Sequence, residues 1–148
     1  MHKLSNQILD LRELEKLTTN LSKDISSGDV YLFQGELGAG KTTFIRLLIS
    51  NLYLLNNLPK PASIISPTYP ILITYELSSL QIYHYDLYRV KNLTELEELD
   101  FFENLNNNIT FVEWPEMLIN LPLNKKHYLI NLDMISETRR KIKISFNQ

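Results

Sequence analysis

Val30-Tyr31-Leu32-Phe33-Gln34-Gly35-Glu36-Leu37-Gly38-Ala39-Gly40-Lys41-Thr42 is the stretch on which the fold turns. Its first four residues are apolar and β-prone, the composition of a buried strand. Residues 35–42 then satisfy the pattern G-x-x-x-x-G-K-[ST] at every constrained position. Glycine there lets the backbone take positive φ and come close to a phosphate with no Cβ in the way. The amides turn inward as an anion-binding nest, reinforced by the positive end of the helix that follows. Lys41 is expected to reach the β- and γ-phosphates of a nucleotide, and the Thr42 hydroxyl to ligate magnesium. Three of the chain's four glycines stand in this loop. A chance match on an ordinary strand–turn–helix corner is the competing explanation, and the agreement of both flanks argues against it.

Upstream, Leu11, Leu14, Leu17, Leu21 and Ile25 recur at steps of three and four, so residues 11–25 read as an amphipathic helix. Ser26-Ser27-Gly28-Asp29 ends it. Downstream, Phe44, Ile45, Leu47, Leu48, Leu52 and Leu55 give residues 42–56 a broad apolar side, and Pro59 and Pro61 close the unit. Residues 69–77 and 81–88 are rich in β-branched and aromatic side chains and flank Ser78-Ser79, which predicts an antiparallel hairpin. Thr94-Glu95-Leu96-Glu97 fits a capping box, opening a helix with Leu96, Leu99, Phe102 and Leu105 on one side. After a polar loop at 104–108, Ile109-Thr110-Phe111-Val112 reads as a second buried strand, ending at Glu113. Residues 128–132 and 141–146 supply the last strands, the latter alternating Ile142, Ile144 and Phe146 with polar neighbours. The expected fold is α/β: one P-loop NTPase-type domain over residues 1–148, with a mixed central sheet, flanking helices and an antiparallel hairpin segment.

Bulk properties narrow the function classes. A chain of 148 residues with 44% hydrophobic content suits one domain with one sizeable core. Its formal net charge of −2 lacks the basic excess that charge-driven nucleic-acid binding requires, so neither DNA nor RNA is an expected direct partner. There is no cysteine, which excludes disulfides, thiolate metal sites and cysteine nucleophiles and fits a cytoplasmic location. No apolar run approaches the roughly 18 residues of a membrane span, and Met1-His2-Lys3-Leu4-Ser5-Asn6-Gln7 lacks the apolar core of a secretory signal.

A P-loop does not name the reaction. A second acid is needed to hold the hydrated magnesium, usually from the end of a neighbouring apolar strand. Asp86, after Ile82-Tyr83-His84-Tyr85, and Glu113 both fit; one would manage the metal while the other orients or deprotonates water. A GTPase should carry N-K-x-D, and Asn124-Lys125-Lys126-His127 has His where Asp is required. A small-molecule kinase needs a substrate insertion and an Arg-bearing lid, for which no segment is long enough. An ATPase acting as a switch for partner proteins needs only nucleotide-sensitive loops, and Ser66-Pro67-Thr68-Tyr69 is a candidate. A nucleotide-dependent RNA-binding module is the remaining alternative.

Four segments occur in order: residues 35–44, beginning Gly35-Glu36-Leu37-Gly38; Ser66-Pro67-Thr68-Tyr69; His84-Tyr85-Asp86-Leu87-Tyr88-Arg89; and Val112-Glu113-Trp114-Pro115-Glu116. Together they resemble the bacterial TsaE (YjeE) family, the P-loop ATPase of tRNA threonylcarbamoyladenosine biosynthesis, from the first helix to Arg139-Arg140. The resemblance implies slow, magnesium-dependent ATP hydrolysis in company with the TsaB and TsaD proteins. TsaD is the member that transfers threonylcarbamoyl to the anticodon-adjacent adenosine; ATP turnover resets the complex, and tRNA is met only indirectly. On matching positions, Gly35, Glu36, Leu37, Gly38, Ala39, Gly40, Lys41 and Thr42 would hold the nucleotide, with Thr43 supporting the loop and Thr68 near the γ-phosphate. Asp86 and Lys41 would be catalytic, and Thr42 and Glu113 would ligate magnesium. Two departures lie outside the phosphate site. Asp100 stands where the family often has Gly, and Ser136-Glu137-Thr138-Arg139 lacks the usual Gly before its Arg.

Other residues carry two readings each. Trp114 either reports nucleotide binding or simply packs. Tyr88 and Arg89 face a partner or the γ-phosphate, or else belong to the hairpin's structure. His84 joins proton transfer, or is a hydrogen-bonded structural residue, the commoner fate of a lone strand histidine. Lys125, Lys126, Arg139, Arg140, Lys141 and Lys143 make a solvated strand face, the favoured reading, or a tRNA contact.

Overall fold

The computed structural model describes residues 5–147. Met1 to Leu4, the first part of the stretch expected to lack a secretory signal, lie outside the described residues. Seven strands form one sheet in the order β1-β7-β6-β2-β5-β4-β3. The strands are β1 (Ser5–Asp10), β2 (Val30–Gln34), β3 (Leu72–Leu77), β4 (Leu80–Asp86), β5 (Ile109–Glu113), β6 (His127–Met134) and β7 (Arg139–Asn147). The four central strands β6, β2, β5 and β4 run parallel, and each end of the sheet is finished by antiparallel strands. This is the mixed α/β fold expected from the βαβ core. Among the described residues no helix is long and apolar enough to cross a membrane.

Helices α1 (Leu11–Ser22) and α2 (Lys41–Leu55) cover one face of the sheet, and the short α3 (Leu93–Glu98) and α4 (Phe101–Asn104) the other. Strand period decides which residues meet which layer. Tyr31 and Phe33 of β2 join the core under α2, whereas Val30 and Leu32 join the core under α3 and α4. Along β5, Ile109 and Phe111 face α2 and Val112 faces away. By that alternation His84, Asp86 and Glu113 all belong to the α2 face.

Several local expectations change. Strand β1 was not anticipated; its six residues find their partners only in β7, more than 120 positions later. Asp10 caps α1 in a capping box with Glu13, a pattern legible in Asp10-Leu11-Arg12-Glu13. Leu11, expected on the buried side of α1, is 57% exposed, while Thr18 and Ser22 are buried in its place with their hydroxyls bonded to Glu15 and Thr18 carbonyls. The capping box at Thr94 is also corrected. Asn92 is the N-cap, accepting from the Glu95 amide at 3.0 Å, while Glu95 accepts from the Lys91 amide at 2.9 Å. Asn is the stronger cap, and Asn92-Leu93-Thr94-Glu95 presents the required spacing two residues earlier. The helix expected beyond it breaks at Asp100, whose φ is 53°. That left-handed position is why glycine suits this site, and Asp is one of the few other residues that enter it readily. The hairpin forms with Ser78-Ser79 as its turn, Leu77 opposite Leu80, but β4 stops at Asp86. Tyr88 and Arg89 thus stand in the turn beyond the sheet.

Candidate functional site

The loop at 35–40 leaves β2 at its carboxyl end, the position where open α/β sheets bind ligands. Gly35 must be glycine because a Cβ there would come within 2.6 Å of the Leu132 carbonyl oxygen. Gly40, at φ 105°, is the N-cap of α2 and offers no side chain to its amides. The first turn of α2 is therefore left with free N–H groups, the situation that favours an anion.

Lys41 folds back over the loop. Its Nζ donates to the carbonyls of Gly35 at 2.6 Å and Glu36 at 3.0 Å, and it lies 3.9 Å from the centre of the Trp114 ring. Burial pushes the Lys41 ammonium below the usual lysine range, against the opposing pull of Glu113, Glu116, Asp86 and Glu36. Trp114 holds its place with φ 56° and also packs on Tyr88 at 4.8 Å. Its ring is thus a contact of the phosphate-loop lysine rather than remote packing.

The two acids arrive by sheet register. Asp86 of β4 is paired with Glu113 of β5. Glu113, 2% exposed, accepts from the Thr42 hydroxyl at 2.8 Å through Oε1 and from His84 Nε2 at 2.7 Å through Oε2. Asp86 is engaged differently. Its Oδ2 accepts from Ser66 at 3.0 Å and Thr68 at 3.3 Å, and its Oδ1 from the Tyr88 amide at 3.0 Å. Its own amide donates to Ile71, a β-branched residue held at φ 68°. Asp86 therefore grips the 66–71 segment through both side chain and backbone.

A cleft of about 630 Å³ collects Glu36, Leu37, Gly38, Gly40, Lys41, Thr42, Thr43, Thr68, Asp86 and Glu113, with Ser66, Tyr88 and Trp114. Of the residues singled out in the sequence, Gly35 contributes its carbonyl and Ala39 lines the opposite side of the loop. On that opposite side a second cleft of about 540 Å³ shares Gly40 and Thr43 and is walled by Leu9, Leu11, Leu132 and Arg140. This cleft is not legible in the sequence, because β1 forms only against β7. Nor is the place of Arg140, expected in a solvated basic strand face. Arg140 Nε donates to the Ala39 carbonyl at 2.9 Å, and its Nη1 to the Ser136 carbonyl at 2.8 Å, so from the start of β7 it ties the glycine loop to the β6–β7 turn. Lys126 lies 3.8 Å from Asp29 and Lys125 donates to the Leu105 carbonyl at 3.1 Å.

The profile of the family described as threonylcarbamoyl adenosine biosynthesis protein TsaE matches residues 8–142. The chain belongs to the TsaE family. Members of that family function in tRNA threonylcarbamoyladenosine biosynthesis. The TsaE protein of Rickettsia felis is 40% identical over 135 residues, 91% of this chain and 75% of that protein. The Aquifex aeolicus TsaE protein is 30% identical over 145 residues, covering 97% and 98%. Among solved structures, Bacillus subtilis YdiB superposes with a TM-score of 0.62 at 21% identity, covering 98% of this chain and 88% of its own, a likeness of fold. All the residues lining the cleft of about 630 Å³ come from the four segments that carry the TsaE resemblance.

Magnesium is the metal a P-loop implies. Among the described residues no group of three or more His, Asp or Glu side chains could hold an ion alone. Magnesium typically takes one or two protein oxygens and fills its shell with water and substrate phosphates. The Thr42 hydroxyl fits: with its proton directed to Glu113, its lone pairs are left for a cation.

Proposed function

We propose that this TsaE-family chain binds ATP with magnesium and hydrolyses it, and that hydrolysis serves tRNA threonylcarbamoyladenosine formation in a cytoplasmic complex with TsaB and TsaD. The observation that carries the reading is the Thr42–Glu113 hydrogen bond beside Lys41 in one cleft. A metal-directing hydroxyl, a buried carboxylate and a phosphate-seeking ammonium then converge next to the free amides of α2. The triphosphate would lie along residues 35–42, with Lys41 leaving the Gly35 and Glu36 carbonyls for the β- and γ-phosphates. Thr43, common to both clefts, marks where the nucleotide would pass toward Leu9 and Leu11, an apolar slot suited to the base. Thr42 and Glu113 would hold the magnesium, directly or through its water; the ion would neutralise charge on the phosphates.

In the cleavage step, water attacks the γ-phosphorus, the β–γ bridging P–O bond breaks, and the attacking water's proton passes to a base. Asp86 is the candidate base. In the geometry described its Oδ2 is taken by Ser66 and Thr68 and its Oδ1 by the Tyr88 amide alone, which leaves Oδ1 a lone pair for water. The bonds of Asp86 to Ser66, Thr68 and Ile71 would tie turnover to the placing of a surface segment, a suitable handle for partner proteins. Contact with tRNA would come through the partners. The direct test is ATP turnover with and without the TsaB–TsaD pair. Turnover that rises with the pair supports the reading; turnover absent in both cases overturns the ATPase assignment.

A further inference from the structure

His84 lies behind Glu113 of the cleft wall, and the proposed chemistry leaves its side chain without a task. It is fully buried, on the α2 face of β4, two residues before Asp86. Sheet register sets it opposite Phe111, one pleat short of Glu113 on the same face. From there its Nε2 reaches Glu113 Oε2 at 2.7 Å, while its Nδ1 meets no hydrogen-bond partner. An ionised carboxylate only accepts, so Nε2 must be the donor, and the tautomer with its proton on Nε2 is the one this surrounding accommodates.

We infer that His84 is the positioning residue of Glu113: by holding Oε2 it turns Oε1 to the Thr42 hydroxyl and keeps that hydroxyl's lone pairs presented to the nucleotide's cation. The inference rests on the reading of Thr42 and Glu113 as the magnesium edge of the site. A glutamate side chain has three rotatable bonds, and Thr42 alone restrains one of its oxygens. With both oxygens held, the carboxylate has one orientation, and the chain Thr42–Glu113–His84 links the P-loop helix to two adjacent strands. A partner on the remote side of a ligand commonly orients it in this way in metal sites. The imidazole touches neither phosphate nor water in this role.

Two substitutions separate positioning from packing. His84→Gln sets an amide N–H near the Nε2 position, whereas His84→Phe keeps a flat ring and removes the donor. ATP affinity is measured by calorimetry on the full chain, with magnesium and with EDTA. In the Phe variant the magnesium-dependent gain in affinity should shrink by at least about tenfold while the EDTA affinity holds, and Gln should restore most of the gain. A packing role predicts the reverse order, because Phe is the better guest in a buried site. Unchanged magnesium dependence in a folded Phe variant overturns the inference. If that variant does not fold, the wild-type ring decides: ¹⁵N–¹H correlation must show the proton on Nε2, and a proton on Nδ1 alone overturns it. A wild-type protein with no magnesium-dependent ATP binding at all fails the underlying reading instead, a result distinct from either.

Discussion

Asp86 and Glu113 are register partners on the neighbouring parallel strands β4 and β5, which brings two carboxylates 27 positions apart to one sheet edge. Their surroundings differ. Glu113 is tied inward, to Thr42 of the P-loop helix and to His84. Asp86 is tied outward, to Ser66 and Thr68 of a surface segment. Two carboxylates in such proximity repel unless each is satisfied by donors, and each here is.

Removing the charge of Glu113 should act through the metal. Glu113→Gln is expected to lower ATP affinity in magnesium by at least about tenfold, or about 1.4 kcal/mol, while affinity in EDTA stays level. Calorimetry in the two buffers checks this, and equal losses in both would remove Glu113 from the metal edge.

Lys41→Ala should reduce ATP affinity by about a hundredfold or more, the scale of losing a buried charge-assisted contact. The same side chain gives a pH signature. In the free protein burial holds its ammonium below the ordinary range, and bound phosphates would raise it again. Binding then takes up a proton when the pH lies between the free and bound values. Affinity should be flat at lower pH and fall as pH rises through the free-protein value. Calorimetric titrations in alkaline buffers of differing ionisation heat detect the uptake; heats independent of buffer there would contradict it.

Asp86→Ala should leave ATP binding near the wild-type level and abolish hydrolysis. It should also loosen the 66–71 segment, which loses its side-chain anchor at Ser66 and Thr68. Faster amide exchange across those residues is the expected companion result. Wild-type turnover with partners present would withdraw Asp86 from the reaction.

Arg140 grips two parts of the chain with one guanidinium, the Ala39 carbonyl and the 136–139 turn. Arg140→Ala should weaken nucleotide binding by about tenfold to a hundredfold, the scale of the hydrogen bonds to a charged group that it removes. Arg140→Lys should recover little, because an ammonium cannot reproduce the fork. Full recovery by Lys, read from ATP affinity, would show that only charge matters at this position.

Gly35→Ala tests the backbone itself. The added Cβ meets the Leu132 carbonyl oxygen at 2.6 Å; the Cβ is fixed rigidly to its backbone and the oxygen is main chain, so neither yields cheaply. A loss of about 1–3 kcal/mol in urea unfolding is expected, the usual penalty of overpacking. A stability equal to wild type would mean that the loop and β6 part readily.

Much of the fold was legible because it is local. Apolar runs and a glycine loop between them specify β2, the P-loop and α2, and the Ser78-Ser79 pair sets the hairpin register. What escaped was non-local or subtle. Strand β1 has little apolar alternation of its own and exists through β7. The Asn92 cap was overlooked because Thr94 offered a similar pattern two residues on. Trp114, left open between reporting and packing, is found against Lys41.

By itself the sequence determined the residue types of the phosphate loop and the presence of two strand-end acids, since both are written in consecutive residues and their spacing. Tertiary structure decided which acid serves which neighbour. It seated Glu113 between Thr42 and His84, gave Asp86 to the 66–71 segment, and opened a slot beside Leu9 and Leu11. The physical reason is that a hydrogen bond spanning 71 positions depends on strand register and face, and these are set by the packing of the whole sheet.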